Sequence, residues 1–154
     1  MEDEKPIIGT LAEKNVHATL KKWIEPDAEK HERRFHRFVA DILTEDRIYE
    51  IQTGQFYRLA RKLSVFLAEK DVTVVYPIPH VRYILWIDPE TGEISKKRRS
   101  PKVGTGMEVF RELPGILSFL PHPGLTVRLY LLDMDEYRFL DGWSRDRKRG
   151  AHRA

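Results

Sequence analysis

Cysteine is absent from the 154 residues, which excludes a disulfide framework, a Cys-ligated zinc or iron–sulfur centre and a thiol nucleophile. Side-chain amides are nearly absent too: Asn15, Gln52 and Gln55 are the whole set. No apolar run approaches the ~20 residues that span a bilayer. The opening Met-Glu-Asp-Glu-Lys has neither the basic nor the apolar region of a secretory or transit peptide. These absences predict a soluble, cytoplasmic chain with no membrane partner. Few amides and no cysteine beside 33% charged residues also resemble a thermophile's composition.

What is present is a 41% hydrophobic chain long enough for one core. No repeat or low-complexity linker interrupts it, so the expected organisation is a single domain over 1–142 and a basic, flexible tail over 143–154. The formal charge of +3 is uneven. Residues 1–95 carry 14 basic against 17 acidic side chains, and residues 96–154 carry 13 against 7. The C-terminal part is therefore where a polyanion is attracted.

Periodicity predicts the elements. Thr10 and Glu13 have capping-box spacing, and Ala12, Val16, Leu20 and Trp23 form an apolar helical stripe that the Pro26 region ends. Lys30 to Phe35 reads as a short edge strand. Phe38–Leu43 and Ile48–Thr53 read as strands joined tightly through Glu45-Asp46. Gln55 to Lys70 is an amphipathic helix with Phe56, Leu59, Leu63, Phe66 and Leu67 inward. Val72–Tyr76, almost continuously apolar, is a strand buried on both faces and parallel to the one carrying Glu50. A strand over Val81–Ile87, a turn at Asp88–Gly92, a helix near Met107–Leu113 broken by Pro114-Gly115, and a late strand over Leu125–Leu132 complete a mixed α/β fold.

Three residues stand out chemically. Asp41 lies among Val39, Ala40, Ile42 and Leu43, where a strand ordinarily buries apolar side chains. Glu50 and Gln52, two apart, share one face, with Tyr49 and Ile51 on the other. Acids on adjacent strands can converge on one divalent cation, and Mg²⁺ favours one or two carboxylates completed by water and phosphate oxygens. Such an ion polarises phosphate and lowers the pKa of an attacking water. The alternative is an exposed polar face, or acids paired with nearby arginines.

With that constellation the chain resembles the PD-(D/E)XK, or restriction endonuclease-like, nuclease superfamily. Val39-Ala40-Asp41-Ile42 looks like its first acidic motif and Glu50-Ile51-Gln52 like its Glu-X-Lys. Glu13 matches the acid that several branches, including archaeal Holliday junction resolvases, place on the opening helix. The resemblance covers roughly residues 8–78. It implies an αβββαβ core with a mixed central sheet, here followed by a C-terminal strand–helix–strand extension. It further implies Mg²⁺- or Mn²⁺-dependent hydrolysis of phosphodiesters in nucleic acid, DNA being the expected polymer. Asp41 and Glu50 would hold the metal, Glu13 would complete the acidic cluster, and Gln52 would orient the nucleophile. Many nucleases of this fold work as dimers, so a homodimer is among the expectations.

Two departures matter. No proline precedes Asp41, a loosely defined position. Gln52 replaces the motif lysine, and a neutral amide can hydrogen-bond a water but cannot activate it electrostatically. A cation must then come from elsewhere, Arg58, Arg61, Lys62 or Lys102, or catalysis is lost. In the latter case the fold would serve as a nucleic-acid-binding or protein-interaction module.

Other features carry less. Lys96, Lys97, Arg98, Arg99 and Lys102 form a basic segment with no acid, suited to phosphate contacts or to a solvated loop, as do Arg58 and Lys62 on the second helix. The tail from Trp143 reads the same way. His31 and His36 are five apart and do not share a helix face as a zincin pair would. His17, one turn beyond Glu13, is a surface residue or a neighbour of the acids, and His80 and His122 sit beside prolines in turns. Gly104-Thr105-Gly106 opens a helix but lacks the preceding strand of a dinucleotide fingerprint.

Overall fold

A computed structural model describes the backbone of residues 8–140 and 152–153 and the side chains of residues 15–140. The architecture is α/β with a mixed sheet. In chain order it comprises α1 (Ile8–Ile24), β1 (His31–Phe35), β2 (Phe38–Leu43), β3 (Arg47–Ile51), α2 (Ala60–Phe66), β4 (Asp71–Ile87), β5 (Arg98–Arg99), β6 (Leu125–Phe139) and β7 (His152–Arg153). Strand order is β1-β2-β3-β4-β6-β7, with β5 on β4. Only the β3–β4 pair is parallel among the pairs with a described register. No helix among the described residues is long and apolar enough to cross a membrane.

The chain divides into two compact units interleaved in sequence. One comprises 16–78 and 105–131, the other 1–15, 79–104 and 132–154.

In the first unit, helix, three strands, helix and strand follow in the predicted order. Pro26 lies two residues past the end of α1, as its missing N–H requires. β1 and β2 form a hairpin whose turn is His36-Arg37, and Phe38 pairs with Phe35. β3 and β4 pair from Arg47↔Asp71 to Ile51↔Val75, and Arg47 locks the start of that register. Its guanidinium donates to Thr73 Oγ1 (2.8 Å), satisfying a fully buried hydroxyl, and to Asp71 Oδ2 (3.0 Å). On the sheet face bearing Ile48, Val72 and Val74, α2 buries Leu63 and Phe66, with Phe56 and Leu59 from the 3-10 turn Phe56–Leu59 before it. Leu67 is buried as well, so all five inward positions predicted for this segment lie in the core.

Several expectations change. α1 begins at Ile8, so Thr10 has helical backbone and cannot be an N-cap, which needs an extended residue. Trp23 is 67% exposed and packs edge-on against Tyr130 at 5.3 Å rather than entering the core. β4 is continuous where two strands were predicted. Pro77 has the same parity as Val75, whose carbonyl accepts Gln52 N–H (2.9 Å), and it lies beyond the end of β3, where no ladder donor is needed. The helices after Gly104 are 3-10, over Gly106–Arg111 and Leu113–Phe119, because Pro114 and Gly115 disfavour a continuous α-helix; the second contains a kink at Ile116.

In the second unit β5 lies within the basic segment expected to be a loop, pairing with Tyr83 and Ile84. The strand predicted over 125–132 continues to Phe139 because acids can occupy its outward positions, Asp133 and Asp135 being exposed. Asp133 Oδ1 accepts Val81 N–H (3.2 Å) and Asp135 pairs with Lys97 (2.6 Å). Of the basic tail, only His152–Arg153 is described, as β7 against Arg138 and Phe139; Trp143 and the remaining tail positions lie outside the described residues.

Candidate active site

Asp41 and Glu50 occupy β2 and β3 where the antiparallel ladder stops. Registered pairs are Ile42↔Tyr49 and Leu43↔Ile48, which would set Asp41 opposite Glu50. There the backbone pairing gives way to side chains. Ile51 N–H donates to Asp41 Oδ2 (2.7 Å), and Asp41 N–H donates to Glu50 Oε1 (3.3 Å). Each carboxylate thus serves an amide that the ladder leaves unpaired, consistent with the rule that buried N–H groups find acceptors.

Glu50 alternates with Ile48 on the face covered by α2 and is 2% exposed. Burial, then the charge of Asp41, pushes its carboxyl up to about 7, while Lys62 pulls the other way. Lys62 flanks the buried stripe of α2, and its stem carries the ammonium to the sheet. Nζ donates to Glu50 Oε2 (2.7 Å) and to the carbonyl of Val39 (2.8 Å). An ammonium has three donors, and Lys62 commits two to these partners.

The candidates named from sequence separate clearly. Asp41, Glu50 and Lys62 come together. Gln52 does not join them: its Nε2 donates to the carbonyl of Gly54 (2.5 Å), closing the turn after β3. The cause is local, since an acceptor two residues away is easier to reach than the acidic pair. The side chain of Glu13 lies outside the described residues. His17 is half-buried on α1 and makes no hydrogen bond to either acid among the described residues. Arg58 and Arg61 are exposed on the α2 segment.

In the second unit Lys96, Arg98, Arg99 and Lys102 are exposed, whereas Lys97 is held by Asp135 and lies over the Tyr83 ring (4.4 Å). Three further histidines hold backbone groups. His31 Nε2 and His80 Nδ1 meet the carbonyls of Glu25 (2.7 Å) and Gly104 (2.8 Å), and His122 Nδ1 accepts from Gly124 N–H (3.0 Å). The helix after Gly104-Thr105-Gly106 is a six-residue 3-10 segment, too short for an N-terminal anion site.

The acidic pair offers oxygen donors of the kind a hard cation takes. Asp41 Oδ1 takes no hydrogen bond among the described residues, and Glu50 Oε1 has only the long one from Asp41 N–H. Two carboxylates completed by water are the donor set Mg²⁺ accepts. No group of three His, Asp or Glu side chains gathers among the described residues, so a fully protein-ligated site is not formed there. Sequence reasoning included Lys62 among four cations without distinguishing it; the distinguishing fact is its position beside the buried stripe of α2.

Among relatives, an uncharacterized protein of Treponema pallidum (strain Nichols) is 29% identical over 141 residues, covering 91% of this chain and 56% of that protein. The chain thus spans just over half the length of the curated relative it matches. No solved structure matches. Residues 14–154 match the domain of unknown function DUF8091, and the chain belongs to that family.

Proposed function

We propose that the Asp41–Glu50–Lys62 cluster is the centre of a restriction endonuclease-like, metal-dependent nuclease whose motif lysine has moved from the third strand to the following helix. The observation that carries this reading is the Lys62 ammonium 2.7 Å from Glu50 Oε2, a positive charge beside the acids where Gln52 supplies none. A divalent cation on Asp41 and Glu50 would polarise the phosphate and lower the pKa of the attacking water. Asp41, through Oδ1, and Glu50 are the residues that would hold such a cation. Lys62 keeps one donor for a phosphate oxygen and stabilises the charge that develops there. DNA is the preferred polymer in this reading, and RNA is the comparison.

Purified protein is incubated with Mg²⁺ or Mn²⁺ and single- or double-stranded DNA or RNA. Cleavage that D41A and E50A abolish, and that K62M lowers by about 10²–10³-fold in kcat, supports the reading. Intact substrates, or D41A cleaving as the parent does, overturn it.

One observation favours a second reading, the same fold without catalysis. Both carboxylates already serve backbone amides, so they have a structural reason to be there. In that case nucleic-acid binding survives D41A and E50A and weakens when Lys96, Arg98, Arg99 and Lys102 are neutralised.

A further inference from the structure

In the same unit as the acidic pair is an open groove of about 430 Å³ lined by Arg37, Phe38 and Arg61. That volume suits a small-ligand site, of nucleotide size rather than duplex size. Arg37 comes from the tip of the β1–β2 hairpin and Arg61 from α2, so two guanidinium groups reach the groove from different elements. Both residues are exposed, and neither has an acidic partner among the described residues.

The hairpin presents Arg37 in a fixed way. His36 adopts positive φ (52°) and its Nε2 meets Glu69 Oε1 at 2.6 Å, tying the turn to the segment after α2. The Arg37 guanidinium then lies over the Phe38 ring, 5.1 Å from its centroid. One guanidinium face is thereby covered by an aromatic ring, while the planar donor fork stays available for an anion. Phe38 is anchored in turn, its ring edge-on to Phe66 at 6.1 Å.

We infer that this groove binds the sugar–phosphate backbone of a single nucleic-acid strand, with Arg37 and Arg61 on its phosphates. Bidentate guanidinium donors match phosphate oxygens, and the direction of β2 links the groove to the acids. Phe38 and Asp41 are three residues apart on one strand, roughly 10 Å at the rise of an extended chain. The Val39 carbonyl that holds Lys62 lies between them. A nucleic-acid strand that followed β2 from the groove would bring a neighbouring phosphodiester toward Asp41. This inference rests on the nuclease reading for its choice of polymer, and it concerns binding alone.

The test measures binding of a fluorescent single-stranded oligonucleotide in EDTA, where cleavage plays no part. The R37A/R61A variant is compared with R111A/R128A, which removes the same charge from exposed positions that do not line the groove, and thermal unfolding checks that both fold. Loss of about tenfold or more in affinity for R37A/R61A alone is expected, with a log K against log salt slope shallower by about 1.4 for two phosphates no longer neutralised. Equal losses in both variants, or no loss in either, overturn the proposal. So does a groove that binds polyglutamate as tightly as the oligonucleotide. Failure of the nuclease reading shows separately, as intact substrate in the cleavage assay.

Discussion

Glu50 is a carboxylate almost without solvent, and its charge is costly in the folded state. Its pKa is raised from 4.5 to about 7, so the folded chain holds a proton that the unfolded chain releases between those values. The stabilisation is complete below about pH 4.5 and is lost as pH rises through about 7, roughly 3 kcal/mol across the window. Urea unfolding of the parent should therefore show this term declining over that range. The E50Q variant, which carries no titrating proton, should lack it, and the difference between the two curves isolates the residue. Divalent cation should flatten the parent's slope if it binds the carboxylate in its ionised form.

Lys62 offsets part of that cost. Removing it leaves an ionised carboxylate 2% exposed with no cation beside it. K62M should thus cost about 3 kcal/mol near pH 8, the penalty for breaking a buried pair, and clearly less near pH 5, where Glu50 takes up a proton instead. A cost that does not change with pH would contradict this account. These residue-scale effects were partly legible in the sequence. Asp41 and Glu50 stood out because acids interrupted apolar strands. Lys62 did not, because nothing in a helical pattern tells which of several flanking cations will reach across to a neighbouring sheet.

At the scale of elements, the first unit depends on close approach between segments far apart in sequence. A Cβ on Gly115 would lie 2.5 Å from the backbone nitrogen of Tyr57 and 3.1 Å from the carbonyl carbon of Phe56. Backbone cannot yield as a side chain can, so G115A should destabilise by about 1–3 kcal/mol through separation of the two 3-10 segments. Chemical denaturation measures this directly, and an unchanged midpoint would rule out the packing described. Near the same point Glu112 Oε2 accepts Phe56 N–H (3.2 Å), capping a segment whose leading residue, Gln55, has no capping side-chain bond of its own.

The strands between residues 31 and 76 followed from local rules, as did the inward Leu59–Leu63–Phe66 spacing. The helix expected over Gln55–Lys70, however, is a 3-10 turn at Phe56–Leu59 followed by a shorter α2 over Ala60–Phe66. After that the rules misled. Val72–Tyr76 and Val81–Ile87 read as two strands, but the prolines between them do not break β4, because a proline breaks a strand only where a partner needs its N–H. The helix expected near Met107–Leu113 is broken at Pro114-Gly115 as read, but the segments on both sides are 3-10 rather than α. The parallel pairing of β3 with β4 was foreseen from connectivity, whereas the ladder's replacement by two carboxylates depends on side-chain geometry that no pattern encodes.

For the molecule as a whole, a formal charge of +3 says less than where the charges are left unpaired. Lys97 is committed to Asp135, while Lys96, Arg98, Arg99 and Lys102 are exposed. If the chain binds nucleic acid as proposed, neutralising those four should weaken that binding uniformly across sequences and reduce its salt dependence, by about 0.7–0.9 in log–log slope for each phosphate no longer neutralised. K97A alone should change the slope less than K96A does. Titration by fluorescence anisotropy at several salt concentrations tests both statements.

The two interleaved units also bear on how such a chain is inherited. Residues 79–104 leave one unit's run of sequence and return to it, and their ends meet where Gly104 N–H donates to the carbonyl of His80 (3.0 Å). A segment whose ends already touch behaves as a cassette. Its part beyond β4, from Asp88 to Gly104, can lengthen or shorten without altering the lengths of β2 and β3, where Asp41 and Glu50 stand. Length changes among relatives should therefore gather after the end of β4, between Asp88 and Gly104, and an alignment in which they fall within β2 or β3 instead would contradict this.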